Sequence, residues 1–402
     1  MLENLFGALP PGLVAASNFR AGGSITVDVC IVTNCAFPGG NASTTLTELE
    51  AFSAAGLSCV IIHCPVKRSV WKRHWVAERY LAFLDQVVPA DAVKHIQCRT
   101  LIARGPRMAM TPTFRKLAKR IKAERALYVV NNSAWSEDGK PVFNWTSLHE
   151  RVVEIGLPQS NIYPISPLIR GEARKATSAY SGPALLSAHD WPPAFKIEDF
   201  PFRPKPHFNK PVVIGRHGRD HAGKWLEDPR ELQAAYPDHP NFLVSIMGGA
   251  EVPKARLGTL PANWVVAPFG TRGIGDYLSQ LDVFVNFISR NRDEAFGRTI
   301  IEAILCGVPA LLPTAFETTF GELALYCEPS QVAEVIARLA ADDHGRMQFV
   351  EACQKEAAER FGAHTLRKRL EAGPDADAYL PRLDEEARAF RRRVMGASMT
   401  AG

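Results

Sequence analysis

No stretch of this 402-residue chain approaches the roughly 18 consecutive apolar residues that a membrane-spanning helix needs. The N-terminus, MLENLFGALPPG, has no basic n-region and carries Glu3, so it does not read as a secretory leader. The eight cysteines include no CxxC pair and no His/Cys cluster at zinc spacing, which argues against a zinc ribbon or a dithiol redox motif. Cys30, Cys59, Cys306 and Cys327 lie in or beside apolar runs, where a free thiol packs as a small hydrophobe. The expectation is a reduced cytoplasmic protein. Repeats of solenoid period and low-complexity tracts are absent as well, which excludes an array or a disordered chain. The one DxD, Asp375-Ala-Asp377, follows Gly373-Pro374 and precedes a helix-like tail, so helix capping explains it. No metal and no cofactor are expected.

What is present is globular: 46% apolar and 22% charged residues, in a chain long enough for two domains of about 200 residues each. The net charge of +5 is unevenly spread. Residues 67–125 hold 15 Lys/Arg against 4 Asp/Glu, a local +11 that leaves the rest of the chain at −6. Such asymmetry speaks of partners rather than fold, and asks for something anionic beside the first half.

Alternation of strand and helix runs through both halves. ITVDVCIVT (25–33) ends in the turn-rich FPGGN, a helix with Leu46, Leu49 and Phe52 follows to Gly56, and LSCVIIHC (57–64) is a strand-length apolar run. Strand, helix, strand in that order implies a parallel sheet. The pattern continues through HIQCRTLIA (95–103), a basic helix near 113–124, ALYVVNN (126–132), a helix over 147–156 and NIYPIS (161–166). From 181 to 211 the chain becomes proline-rich, as an interdomain linker or a segment covering a domain edge would be. PVVIG, NFLVSIMG, NWVVAPF, DVFVNF and VPALLP then restart the alternation. The fold class predicted is α/β, with two Rossmann-like doubly wound parallel-sheet domains facing a central cleft. The boundaries expected are 1–207, 208–370 and a helical tail over 371–402. Ligands in such folds bind where the strands end.

The densest chemistry lies in DVFVNFISRNRDEAFGRTIIEAILCGVPALLP. A strand leads through a polar loop to Glu294, a helix opens near Gly297, and Glu302 sits on it before Gly307 and Pro309 stop it. Glu294 in the loop and Glu302 inside the helix can both point into a pocket at the helix N-terminus. The N–H groups of Gly297, Arg298 and Thr299 there suit a phosphate. One carboxylate can take two vicinal ribose hydroxyls and the other a sugar's hydroxyls.

The stretch from Asp276 to about Leu339, with EAFGRTIIEAILCGVP and FGELALYCEPSQVAEVI, resembles the donor-binding domain of retaining glycosyltransferase family 4, of the GT-B fold. Its Glu, seven residues, Glu hallmark is matched by Glu294 and Glu302, which the resemblance assigns to the donor sugar and the ribose. In VVIGRHGRDHAGKW, Arg216 and Lys224 occupy the places of the family's diphosphate-gripping cations. Arg216 follows the strand directly, and Arg219 competes with it. Gly39 and Gly40 match a Gly-rich loop that faces the donor phosphate and sugar. Pro268 and Phe269 fall where relatives contact the base, mostly through backbone. Many relatives carry a histidine after a mid-chain strand, where this chain reads Asn131-Asn132-Ser133-Ala134-Trp135. Either an asparagine takes over that hydrogen bonding or the motif is displaced.

The resemblance implies metal-independent transfer of a sugar, with retention, from a nucleotide-sugar donor to a glycan or lipid-linked acceptor in polysaccharide or glycoconjugate synthesis. A non-catalytic nucleotide-sugar-binding scaffold and a GT-B-shaped nucleotide-sugar epimerase are the rivals. The basic stretch 67–125 interleaves Lys67, Arg68, Lys72 and Arg73 with Trp71 and Trp75, and TFRKLAKRIKAER reads as a basic amphipathic helix with Phe114, Leu117 and Ile121. It suits peripheral contact with the anionic inner face of a membrane or a lipid-diphosphate-linked acceptor, or is a solvated basic face. No nucleic-acid motif accompanies it.

Overall fold

The runs Val29–Thr33 and Cys59–His63 are buried throughout, as strands covered on both faces must be. In the computed structural model they lie side by side in parallel register, Ile31 opposite Ile61. The structure describes residues 12–37, 39–66, 74–136, 139–178, 180–183, 185–290, 294–373 and 383–396. The chain divides into two units.

The first unit holds the chain as far as Phe195, together with Glu294–Phe296 and a later segment that begins at Ala363. Its strands are β1 (Leu13–Ala15), β2 (Gly23–Thr33), β3 (Cys59–His63), β4 (Trp75–Ala77), β5 (Val87–Pro89), β6 (Val93–Arg104), β7 (Ile121–Val130) and β8 (Ser160–Pro164). Six of them form a parallel sheet in the order β5-β3-β2-β6-β7-β8, while β1 and β4 make a small antiparallel pair. The second unit carries β9 (Val212–His217), β10 (Phe242–Met247), β11 (Trp264–Ala267), β12 (Val283–Val285), β13 (Ala310–Leu312) and β14 (Leu325–Tyr326), ordered β11-β10-β9-β12-β13-β14. All its pairs are parallel.

Numbered within its own sheet, each unit reads 3-2-1-4-5-6. That is the doubly wound order whose direction reverses between the first and fourth strands, and ligands bind at the carboxyl ends beside that switch point. The two switch points are β2/β6 and β9/β12. The predicted pair of Rossmann-like α/β units is what the chain folds into.

One expectation needs correction. The basic helix near 113–124 stops early: Pro112–Ala118 is helical and Ile121 already belongs to β7, opposite Ile96. Ile121 and Ala123 are buried while Lys122 and Glu124 are exposed, a period of two that belongs to a strand. Phe114 and Leu117, the expected apolar face, are 0% and 2% exposed and pack inward. This helix therefore offers no apolar stripe to a membrane. Lys67, Arg68, Trp71, Lys72 and Arg73 lie outside the described residues, as does Asp375-Ala-Asp377.

Of the two readings of the proline-rich segment, its first part takes the second, a segment packed over the first unit. Trp191, Ala194 and Phe195 are buried, and Trp191 Nε1 donates to Glu48 Oε1 at 2.8 Å. The first stretch of the first unit runs to Phe195. Leu366 and Leu370 sit in the core of the first unit, while the Glu385–Met395 helix rejoins the second, with Phe390 against Phe349 at 5.7 Å.

Candidate active site

The second unit gathers most of the predicted residues at the carboxyl ends of β9 and β12. Strand β9 runs two residues further than the sequence suggested, through His217. Side chains alternate along it, so Ile214 and Arg216 share one face while Gly215 and His217 share the other. Arg216 is thus inside the sheet rather than in the loop. It is 3% exposed, its guanidinium lies 4.0 Å over the Trp225 ring, and NH1 donates to Tyr236 Oη and the Phe287 carbonyl, each at 3.2 Å. Tyr236 Oη in turn donates to the Val285 carbonyl at 2.9 Å. Burial pushes the Tyr236 phenol up, against the pull of Arg216. Its guanidinium is thus engaged within the second unit, with Tyr236, Trp225 and the Phe287 carbonyl. It is a buried pillar that joins β9 to β12. The first cation of the loop is Arg219, which is exposed, and half-buried Lys224 closes the same loop in the short turn Ala222–Lys224.

That loop is held in place at several points. Asp220 Oδ2 accepts from the Glu251 and Val252 amides at 2.5 and 3.2 Å, and Oδ1 from Trp225 Nε1 at 2.9 Å. Arg256 donates to the carbonyls of Leu226 and Ala222 at 2.6 and 3.1 Å. The loop leaving β12 is tied to it: the Ser289 amide donates to the Gly223 carbonyl at 3.3 Å and its hydroxyl to Glu227. Burial raises the Glu227 carboxyl pKa, but the Ser289 hydroxyl and backbone N–H groups outweigh it and hold the group below its ordinary value. Beside them, Gly248 at the end of β10 has φ +126°, and a Cβ there would stand 1.8 Å from the Gly218 carbonyl oxygen. Only glycine lets these two loops approach so closely.

The helix predicted after the Glu294 segment spans Arg298–Leu305, with Gly297 as its N-cap at φ +82° and no side chain capping it. Its first-turn amides and positive dipole end stand beyond β12. Glu302, one turn in, is 6% exposed. Its Oε2 lies 3.2 Å from His217 Nε2 and its Oε1 3.6 Å from an Arg298 guanidinium nitrogen. Its negative charge, added to burial, pushes the Cys306 thiol up to about 12, burial being the larger effect. Thr299 is half-buried at the same helix start. Pro268 and Phe269 are exposed just past β11, the edge strand, with β10 between them and the switch point.

In the first unit, Gly39 caps the Gly40–Ala54 helix after β2, again without a side-chain cap. Asn131, at the end of β7, donates to Asn41 Oδ1 at 2.8 Å, and Asn41 donates to Thr33 Oγ1 at 3.0 Å. A neutral amide chain therefore crosses the carboxyl ends of β2, β6 and β7. Glu294 is half-buried and is counted with this unit.

Searching solved structures with this architecture returns glycosyltransferases. The Anabaena protein HepE, solved in complex with UDP and glucose, superposes with a TM-score of 0.59 at 16% identity, covering 86% of this chain and 98% of that one. A glycosyltransferase from Rickettsia africae gives 0.58 at 14% identity, covering 88% and 98%. The sucrose-phosphate synthase of Thermosynechococcus elongatus gives 0.56 at 15%, covering 86% and 98%. The fold is GT-B.

No protein-family model and no curated protein sequence matches the chain. Within this GT-B scaffold, sequence reasoning passed over His217, Asp220 and the Gly248–Gly249 pair. The glycines carried a readable signal, since GG directly after the apolar run NFLVSIM repeats the FPGG pattern of the first half. His217 and Asp220 carried none, because their roles depend on partners distant in sequence. Among the described residues no three His, Cys, Asp or Glu side chains group as metal ligands, and no helix is long and apolar enough to cross a membrane.

Proposed function

We propose that the chain is a glycosyltransferase that moves a sugar from a nucleoside-diphosphate donor of the UDP type onto a glycan or lipid-linked acceptor, with retention of configuration and without a metal. The observation that carries this reading is the charge arrangement at β9/β12. A pinned loop bearing Arg219 and Lys224 stands beside an uncapped helix start and the buried carboxylate of Glu302. That is a nucleoside-diphosphate layout, with cations and helix dipole for phosphate and an oriented acid for ribose. The GT-B neighbour solved with UDP and glucose supports the choice of donor.

Arg219 replaces Arg216 as the diphosphate cation. Gly297, Arg298 and Thr299 present the helix start, Glu294 holds sugar hydroxyls, Pro268 and Phe269 border the base, and the resemblance adds Gly39 and Gly40 as donor-loop glycines. In the transfer the donor C1–O bond breaks, and its electron pair leaves on the diphosphate oxygen. The acceptor hydroxyl oxygen bonds to C1 from the same face and passes its proton to that leaving oxygen. Preorganised cations lower the barrier by stabilising the departing charge. A cytoplasmic place at the inner membrane face and a role in polysaccharide or glycoconjugate synthesis complete the proposal.

The test is a thermal-shift screen of UDP-, GDP- and ADP-sugars, followed by nucleotide release from the best donor with and without added glycans. A bound donor raises the melting temperature of the native state. We expect turnover to fall about 100-fold in Glu294→Ala with binding of the free nucleotide kept. An epimeric nucleotide sugar as product, or binding without turnover in both proteins, would replace this reading by the epimerase or the scaffold.

A further inference from the structure

Trp135 lies in the segment that leaves the carboxyl end of β7 and is 59% exposed, whereas every other described tryptophan is buried or half-buried. A ring of this size left in water forgoes the burial that draws most tryptophans inward. Slack backbone does not explain it. The Ala134 amide donates to Glu172 Oε1 at 2.8 Å and the Ser133 hydroxyl to the same oxygen at 3.1 Å, which ties the segment to the helix Pro167–Ala176. The Trp135 amide donates to Ser133 Oγ at 3.1 Å, and the Val142 amide to the Ala134 carbonyl at 2.7 Å. Trp135 also pairs antiparallel with Pro141. A fixed backbone therefore presents the indole to solvent.

Its surroundings narrow the kind of ligand. Asn131 donates to Asn41 Oδ1 at 2.8 Å, so the segment after β7 meets the one after β2 across the end of β6. The β2 segment carries a second exposed ring, Phe37, at 46%. That ring lies over Gly39, where a Cβ would come 2.5 Å from one of its carbons. Two exposed aromatic rings and two neutral amides thus share the edge where doubly wound sheets take their ligands.

We infer that Trp135 is a stacking platform for a pyranose ring, in a neutral-saccharide subsite of the first unit where Asn41 and Asn131 meet the hydroxyls. The inference deepens the glycosyl-transfer reading above and rests on it for the choice of a sugar. The acceptor glycan and the donor sugar share this chemistry. A pyranose has a face of C–H groups and a rim of hydroxyls. The indole face covers the apolar side, and its negative quadrupole attracts the polarised C–H groups. An amide side chain has two N–H donors and an acceptor oxygen with two lone pairs. Asn41 and Asn131 spend part of that capacity on each other and on Thr33, and the remainder suits hydroxyls, which both donate and accept.

The experiment labels the full chain with fluorotryptophan and assigns the Trp135 fluorine resonance by its loss in Trp135→Phe. The probes are maltose, cellobiose, chitobiose, UDP and UDP-glucose. We expect a disaccharide to shift that resonance, which marks the acceptor glycan, or UDP-glucose to shift it where UDP does not, which marks the donor sugar. Calorimetry should then find that saccharide bound about 10-fold more weakly by Trp135→Ala and within about 3-fold of wild type by Trp135→Phe. UDP affinity and melting temperature should be unchanged in both variants. A resonance that no probe moves, or that UDP moves as far as UDP-glucose while the disaccharides do nothing, overturns the inference and leaves the proposed function standing. Undiminished saccharide binding in Trp135→Ala overturns it as well. A chain that binds a disaccharide there yet no nucleoside diphosphate keeps the subsite and loses the proposed transfer.

Discussion

The two units share one strand order and differ in what they place where it reverses. At β9/β12 the second unit has charge: Arg219 and Lys224 in the loop, Glu302 between His217 and Arg298. At β2/β6 the first unit has the neutral chain Thr33–Asn41–Asn131 and a glycine cap, and its charge is drawn inward. There Glu48 is 0% exposed, paired with Arg104 and bonded by Trp191. The difference teaches that a doubly wound sheet supplies a place for a ligand without choosing its chemistry. Loops only a few residues long decide whether that place meets an anion or an array of hydroxyls.

The comparison can be broken first at Glu48. Glu48→Ala leaves a buried guanidinium and an indole N–H without their acceptor, so we expect about 3–5 kcal/mol to be lost from the first unit. UDP affinity, which the proposed function assigns to the second unit, should be unchanged. Denaturant titration followed by nucleotide binding measures both, and a loss below about 1 kcal/mol would show that the ion pair anchors nothing.

A smaller effect, confined to the second unit, separates its two arginines. Arg219→Gln should slow donor turnover about 100-fold, near 3 kcal/mol of barrier, with the melting temperature unmoved. Arg216→Gln should do the reverse, lowering stability by about 1–3 kcal/mol because Tyr236 and the Phe287 carbonyl lose a buried partner. The opposite pattern would return Arg216 to the diphosphate.

The smallest effects are peripheral. Asp28, in β2 beside the start of β3, accepts from the Ser58 hydroxyl and amide at 2.7 and 2.9 Å. That hydroxyl above all holds its carboxyl below 3.8. In the second unit the Gly345 amide does the same for Asp342, and His207 for Asp343. A carboxyl depressed by folding contributes stability that is complete above its unfolded pKa and is lost as pH falls through the folded value. The stability these three carboxyls contribute should therefore be lost only below about pH 4, by less in Asp28→Ala, which should itself cost about 1 kcal/mol at neutral pH. A chain that loses stability between pH 7 and 5 would point to histidines instead.

Much of the fold was legible because apolar runs of strand length alternate with helical ones, and both units were drawn from that pattern alone. Loops and ends were harder. Ile121 was read onto a helix because Phe114 and Leu117 set a helical phase, whereas pairing with Ile96 draws it into a strand. Arg216 was read as the loop's first residue because Gly215 resembles a strand stop, yet the glycine is there to admit Leu281, and the strand continues. Glu302 was visible as spacing, whereas its neighbour His217 was not. Contact between residues 217 and 302 is a fact of topology, and no local pattern announces it.

One consequence concerns how the gene can be divided. The polypeptide visits each unit more than once: Leu366 and Leu370 fill the interior of the unit that began near the start, and the closing helix then docks on the other. A fragment severed after Phe195 would therefore emerge with a hole lined by leucine-sized neighbours. Supplying the peptide 363–373 in trans should heal it. The halves of the gene are not the halves of the molecule.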